Sequence, residues 1–151
     1  MLIAYLIAVA VICVDQLSKL LVYGTAARSI IGNVLWFEST LNTGVAFSMF
    51  SGNSIVFFII ACVASVLLTL LICSNKIIKS KAQKISLALI LGGTISNAID
   101  RIVFGGVRDF IYLKFMNFAI FNVADMSITV GAMLLCVFIV FSKDSDANDR
   151  T

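Results

Sequence analysis

Any chemistry in this chain must be done without histidine, which does not occur among its 151 residues. That absence removes Ser-His-Asp triads, Cys-His dyads and ordinary histidine-ligated zinc. The acids best placed to react are Asp109 and Asp125. No basic residue is spaced to neutralise Asp125. Arg108 adjoins Asp109, but neighbours in an extended segment point to opposite sides. Two carboxylates held close in a low-dielectric site cannot both ionise cheaply, so one keeps its proton near neutral pH while the other is charged. Such a pair supplies a base to activate water and an acid to polarise a carbonyl, with no metal and no cofactor. This is the chemistry of aspartic peptidases. Spacing in sequence does not by itself bring the two residues together.

The elements that would position them are unusually apolar. Hydrophobic residues make up 61% of the chain and charged residues 13%, with a mean hydropathy of +1.09. A soluble domain is about half apolar and about a quarter charged. Four apolar stretches approach the ~20 residues that cross a bilayer as a helix. They run from about 2–22, interrupted by Asp15 and Lys19; 54–73, with no charge; about 85–103, polar in its second half; and about 123–141, with Asp125 near its start. The expected fold is an all-α integral membrane protein, residues 1–151 forming one membrane-embedded domain of four transmembrane helices. A small β-rich extracytoplasmic loop region should follow helix 1. There, Asn33 to Glu38 and Asn42 to Phe47 place short apolar-aromatic runs between turn residues. Trp36, Phe37, Phe47 and Phe50 suit a membrane interface.

Lys76, Lys79, Lys81 and Lys84 make the loop at 74–84 the densest basic cluster. The positive-inside rule puts that loop in the cytoplasm, with both termini, and sends loops 23–53 and 104–122 outwards. A basic loop between apolar spans explains these lysines better than nucleic-acid binding, so no nucleic-acid partner is expected. Cys13, Cys62, Cys73 and Cys136 lie in apolar runs without CxxC spacing and read as small packing residues. The first stretch lacks a basic start, and its charges precede any small-residue cleavage site. A retained helix is therefore expected rather than a removed leader.

Charges in membrane spans are costly and call for partners or a purpose. Asp15 and Lys19, at i,i+4, share one helix face. Gly93, Asn97 and Arg101 form a row on the third span, beside Gly92, Ser96 and Asp100. Asn122 and Asp125 open the fourth. All fall at the outer membrane boundary. Each also has a plainer reading. Asp15 and Lys19 would do as a neutralising pair, the glycines and Ser96 as a close-packing face, and Asp100–Arg101 as a solvated pair.

Taken in order, DQLSK (Asp15 to Lys19), NTGVAF (Asn42 to Phe47), GGTISNAIDR (Gly92 to Arg101), VRDF (Val107 to Phe110) and FNVAD (Phe121 to Asp125) resemble the bacterial lipoprotein signal peptidase family, signal peptidase II. The resemblance implies a membrane aspartic endopeptidase of the bacterial inner membrane, with its site near the periplasmic face. It would cut the signal peptide from prolipoproteins immediately before a diacylglyceryl-modified cysteine. By motif, Asp109 and Asp125 would be catalytic, and Asn42, Gly44, Asn97, Arg101 and Asn122 would line the substrate groove. Asp15, Lys19 and Asp100 would support the site. Lipid-modified prolipoproteins and membrane lipids are the implied partners, globomycin an implied inhibitor, and a monomer is expected.

Three features depart from the family pattern, one being the absence of a proline often found shortly before the FN of FNVAD; the chain has no proline at all. Ser96 stands where a glycine is usual, and Arg108 where a branched apolar residue is usual; an inward-turned Arg108 would lower the pKa of Asp109. Two rival readings are kept. One is a small four-helix transporter or channel subunit, with Asp15, Lys19 and Asp125 along a polar path. The other is a Ser-Lys peptidase built on Ser18-Lys19, Ser80-Lys81 or Ser142-Lys143, although Ser18 and Lys19 do not face each other on a helix.

Overall fold

The computed structural model describes residues 1–44, 52–78 and 80–148, with side chains to residue 141. Lys79, Phe47, Phe50 and the tail's side chains, including the Ser142-Lys143 pair, lie outside that description. Four helices, α1 (Leu2–Val22), α2 (Ser54–Cys73), α3 (Lys81–Phe104) and α4 (Val123–Asn148), are joined by three strands. All four helices are long and apolar enough to cross a membrane. The three strands, β1 (Arg28–Ile31), β2 (Leu35–Asn42) and β3 (Val107–Leu113), form one antiparallel sheet in that order. The all-α membrane architecture with a small sheet after helix 1 is therefore observed.

Helix α3 is the hub, packing on α1, α2, α4 and β3. Adjacent glycines on α3 turn to different neighbours. A Cβ on Gly92 would lie 2.7 Å from the Ala8 carbonyl oxygen of α1, and one on Gly93 would lie 2.5 Å from that of Ala124 in α4. Backbones can approach this closely only without side chains, and close approach is what holds helices together where lipid supplies no hydrophobic drive. The glycine-serine face thus serves two interfaces.

Three details differ from the hydropathy reading. Helix α3 starts at Lys81, four residues before the apolar stretch, and Lys84 is buried with its Nζ donating to Asn75 Oδ1 at 2.6 Å. A helix ends where its backbone bonds end, not where charge begins. The second loop contributes β3, seven residues whose pairing with β2 and the Phe121 segment is tertiary and leaves no turn-bounded alternation in the sequence. Finally, all four cysteines are free and exposed on outward faces, not packed inside; small apolar side chains suit a lipid-facing surface equally well.

Gly105, in the left-handed region at φ 71°, ends α3 and turns the chain into β3. Strand β2 then aligns Asn42 with Val107 and Thr40 with Asp109, after a bulge between Phe37 and Thr40. The chain returns along β3 through an Ile111–Phe121 bridge, which delivers Asn122 to the start of α4. Phe110, buried against Phe37 edge-to-face at 5.6 Å, anchors the strand.

Candidate active site

The FNVAD segment is a helix cap. Asn122 Oδ1 accepts the N–H of Asp125 at 2.9 Å, and Asp125 Oδ2 accepts the N–H of Asn122 at 3.4 Å. This is the reciprocal pattern of a capping box, with Asp in place of Glu, and it places a carboxylate at the positive end of α4. With its oxygen committed to an N–H, Asn122 presents its Nδ2 elsewhere. It donates to Asp109 Oδ1 at 2.6 Å and to Asn97 Oδ1 at 3.2 Å. A single side chain therefore touches both aspartates.

The other amides are oriented by the same logic. Asn42 Oδ1 accepts the Gly44 N–H at 3.0 Å, so its Nδ2 donates to Asp109 Oδ2 at 3.1 Å. Asn97 Oδ1 accepts from Lys19 Nζ at 3.0 Å, and an ammonium can only donate. Asn97 Nδ2 is left to donate to Asp125 Oδ1 at 2.7 Å. Every oxygen of both carboxylates thus accepts an N–H. Burial, and next the negative charge of Asp125, push the Asp109 carboxyl up to about 7, against the opposing pull of the Asn42 and Asn122 amides. The charge of Asp125 therefore acts on the Asp109 carboxyl across the site.

Behind them lies a buried charge network. Lys19 Nζ lies 2.6 Å from Asp15 Oδ2 and 3.2 Å from Asp100 Oδ2, all three side chains fully buried. Arg108 Nη2 pairs with Asp100 Oδ1 at 2.8 Å, and its guanidinium covers the Phe104 ring at 4.1 Å. Asp15 with Lys19 is more than a neutralising pair, and Asp100 is not a solvated partner of Arg101. Arg108 does not turn towards Asp109, in keeping with strand alternation. Ser18 Oγ donates to the Asp15 carbonyl while Lys19 engages the carboxylates, so these neighbours form no Ser-Lys dyad.

Asp109 and Asp125 face a cavity of about 670 Å³, whose other polar lining includes Asn42, Asn97 and Arg101. Ala61 of α2 and Ile128 of α4 contribute to walls that are largely apolar. Arg101 leans on Phe57 at 5.8 Å, with Nη2 3.5 Å from the Gly44 carbonyl, and its buried Nε has no hydrogen-bond partner among the described residues. Among the described residues no group of three or more acids, cysteines or histidines is placed to hold a metal ion.

The structure brings Asp109, Asp125, Asn42, Asn97, Arg101 and Asn122 to this cavity or its wall, and Gly44 within reach through its backbone. Asp15, Lys19 and Asp100 stand behind it. Sequence reasoning passed over Gln16, whose Nε2 donates to Ser96 Oγ at 3.0 Å and to Asp100 Oδ1 at 2.9 Å. A glutamine beside a charged pair in an apolar span was the available signal.

Comparison with known proteins agrees with this layout. The family model for signal peptidase (SPase) II matches residues 7–141. The chain belongs to the signal peptidase II family. The lipoprotein signal peptidase of Lactobacillus johnsonii is 35% identical over 145 residues, covering 93% of this chain and 94% of the relative. That of Listeria monocytogenes is 39% identical, covering 89% and 91%. A bacterial membrane enzyme solved by the in meso method at 2.3 Å matches with a TM-score of 0.81 and 31% identity, over 96% of this chain and 90% of that one. The molecule is thus a multi-pass membrane peptidase of the signal peptidase II type.

Proposed function

We propose that this peptidase removes the signal peptide of prolipoproteins by cutting immediately before the diacylglyceryl-modified cysteine, with water activated between Asp109 and Asp125. One observation carries the reading: both aspartates face one cavity and are tied to one amide, Asn122. The names of the relatives, lipoprotein signal peptidases, supply the substrate class.

The ionised member of the pair takes a proton from water, whose oxygen attacks the carbonyl carbon preceding the cysteine. The protonated member gives its hydrogen to the carbonyl oxygen, forming a gem-diol. The C–N bond then breaks as one carboxyl passes its proton to the leaving cysteine nitrogen and a gem-diol hydroxyl returns its proton to the other carboxylate, which leaves a new carboxyl terminus and restores the shared proton. The pair titrates as a unit, so acid and base are not assigned to single residues. Asn42, Asn97 and Arg101 line the groove, with Gly44 and Asn122 beside it as further substrate-groove positions; Arg101 Nε, unpartnered among the described residues, suits a peptide carbonyl. Asp15, Lys19 and Asp100 hold the frame. The apolar walls from α2 and α4 suit acyl chains and the signal peptide, and globomycin would compete for the same groove.

In this reading the protein is a monomer of the bacterial inner membrane, both termini and loop 74–84 are cytoplasmic, and the sheet end faces the periplasm. Residues 1–151 act as a single domain. A transporter would need charge along its path. Here the charged residues within the spans gather at the sheet end, apart from Lys81 and Lys84 near the start of α3. The test is cleavage of a lipid-modified precursor by Asp109→Asn and Asp125→Asn. Both should lose activity while folded; near-normal turnover by either removes that residue from the chemistry.

A further inference from the structure

Each residue that precedes an aspartate of the pair is held by a buried carboxylate. Asp100 Oδ2 accepts the N–H of Arg108 at 2.9 Å, one residue before Asp109. Asp15 Oδ1 accepts the N–H of Ala124 at 2.8 Å, one residue before Asp125. The spacing of the pair therefore depends on how these two carboxylates are held relative to each other.

They are joined twice. Lys19 bridges them directly. The second link runs through Ser96 and Gln16, and it reaches Asp100 both directly, from Gln16 Nε2 at 2.9 Å, and by way of Arg108. Ser96 Oγ donates to Asp15 Oδ2 at 2.6 Å and accepts from Gln16 Nε2 at 3.0 Å. Gln16 Oε1 accepts from Arg108 Nη2 at 2.7 Å, and the same guanidinium reaches Asp100 through Nη2 at 2.8 Å and Nε at 3.3 Å. Charge balances across the network, with Lys19 and Arg108 against Asp15 and Asp100. Arg108 also sets direction. It can only donate, so Gln16 must present its oxygen to Arg108 and its Nε2 to Ser96 and Asp100. A flipped Gln16 amide would aim its oxygen at the Asp100 carboxylate. Phe104 lies against the guanidinium at 4.1 Å.

We propose that Arg108 is a positioning residue for the aspartate pair, fixing the separation of Asp109 and Asp125 through Gln16 and Asp100 without touching the reacting atoms. The inference rests on reading that pair as catalytic. A misplacement of about 1 Å at a reacting centre costs on the order of 100-fold in rate, so a small loosening here registers in turnover.

The test compares wild type, Arg108→Met, Arg108→Lys, Gln16→Ala and the Arg108→Met/Gln16→Ala double variant on a lipid-modified precursor, with kcat and KM measured separately and Tm recorded. Arg108→Met should lower kcat by roughly 10- to 100-fold with little change in KM. Arg108→Lys keeps a charge for Asp100 but lacks the fork that also holds Gln16, so its kcat should fall between the two. The double variant should be no slower than about the worse single variant, because the residues act as one unit. A folded Arg108→Met enzyme with wild-type kcat, losses confined to KM, or losses that multiply would each overturn the proposal. If Arg108→Met does not fold, Arg108→Lys decides: a lowered kcat at unchanged KM supports the proposal, and a wild-type kcat overturns it. A wild-type protein that leaves the precursor intact overturns the catalytic reading itself, and this inference with it.

Discussion

Asn122 and Asp125 cap each other across the first turn of α4, the Asp125 N–H bonding to Asn122 Oδ1 at 2.9 Å and the Asn122 N–H to Asp125 Oδ2 at 3.4 Å. The motif that begins the helix is therefore also the motif that aims a carboxylate at the cavity. In the proposed mechanism, folding and chemistry would share the same two side chains.

That sharing can be separated by substitution. Asn122→Ser keeps an oxygen that can cap α4, but it has no amide to donate to Asp109. Asn122→Ala loses both. The alanine variant should lose about 1 kcal/mol of stability or somewhat more, and the serine variant much less. Both should lose most of their turnover. Thermal unfolding in detergent beside a cleavage assay reads the two effects independently, and a fully active serine variant would contradict the role given to the amide.

The raised Asp109 pKa has a definite sign in pH dependence. Its folded value, about 7, lies above the ordinary carboxyl value of 3.8. The folded protein therefore holds the proton more tightly than the unfolded chain does. The associated stability is fully present below about pH 4 and is lost as pH rises through about 7, by up to ~1.4 kcal/mol per unit between those limits. Asp109→Asn should unfold with a flatter pH dependence over that window. Wild-type kcat/KM should fall above about pH 7, where the shared proton leaves.

Much of this arrangement was legible in the residues, for identifiable reasons. The helices showed because lipid demands long apolar runs. Asp109 and Asp125 showed because an unneutralised acid beside such a run is expensive. The direction of Arg108 stayed open in the residues: alternation in an extended segment turned it away from Asp109, and an inward turn was the other reading. The β3 strand and Gln16 did not show. Strand β3 exists because β2 and the Phe121 return segment pair with it, and such pairings are tertiary. Gln16 matters only once α1, α3 and β3 are packed together, which no local pattern records. The start of α3 was misplaced for a related reason, since Lys84 is accommodated by Asn75, nine residues earlier.

Among the described residues Lys19 is the one ammonium that touches Asp15, Asp100 and the Asn97 amide. Lys19→Met keeps the stem and removes the charge, which leaves two buried carboxylates with only Arg108 to oppose them. Breaking a buried pair in this way costs about 3–5 kcal/mol, so this variant should be among the least stable of any at the site. It should also leave the Asn97 oxygen held by Asn122 Nδ2 alone, at 3.2 Å, and so loosen the Asn97 contact with Asp125. Denaturation in detergent tests the first consequence. A variant within about 1 kcal/mol of wild type would mean that the network is not held by that charge.

Gly93 and Gly131 make the last comparison, because both let α4 lie against α3 but only one is near the aspartates. A Cβ on Gly93 would sit 2.5 Å from the Ala124 carbonyl oxygen, and one on Gly131 would sit 2.7 Å from that of Ser86. Either alanine must push the helices apart, at a cost of about 1–3 kcal/mol. The consequences for turnover should differ. Displacing Ala124 strains its N–H bond to Asp15 and moves Asp125, its neighbour in the chain. Displacing the Gly131 contact opens the bundle further along α3, away from Asn97. Gly93→Ala should therefore lose much more kcat than Gly131→Ala at a similar loss of Tm. Equal losses would mean that the helix contact supports the fold without setting the position of Asp125.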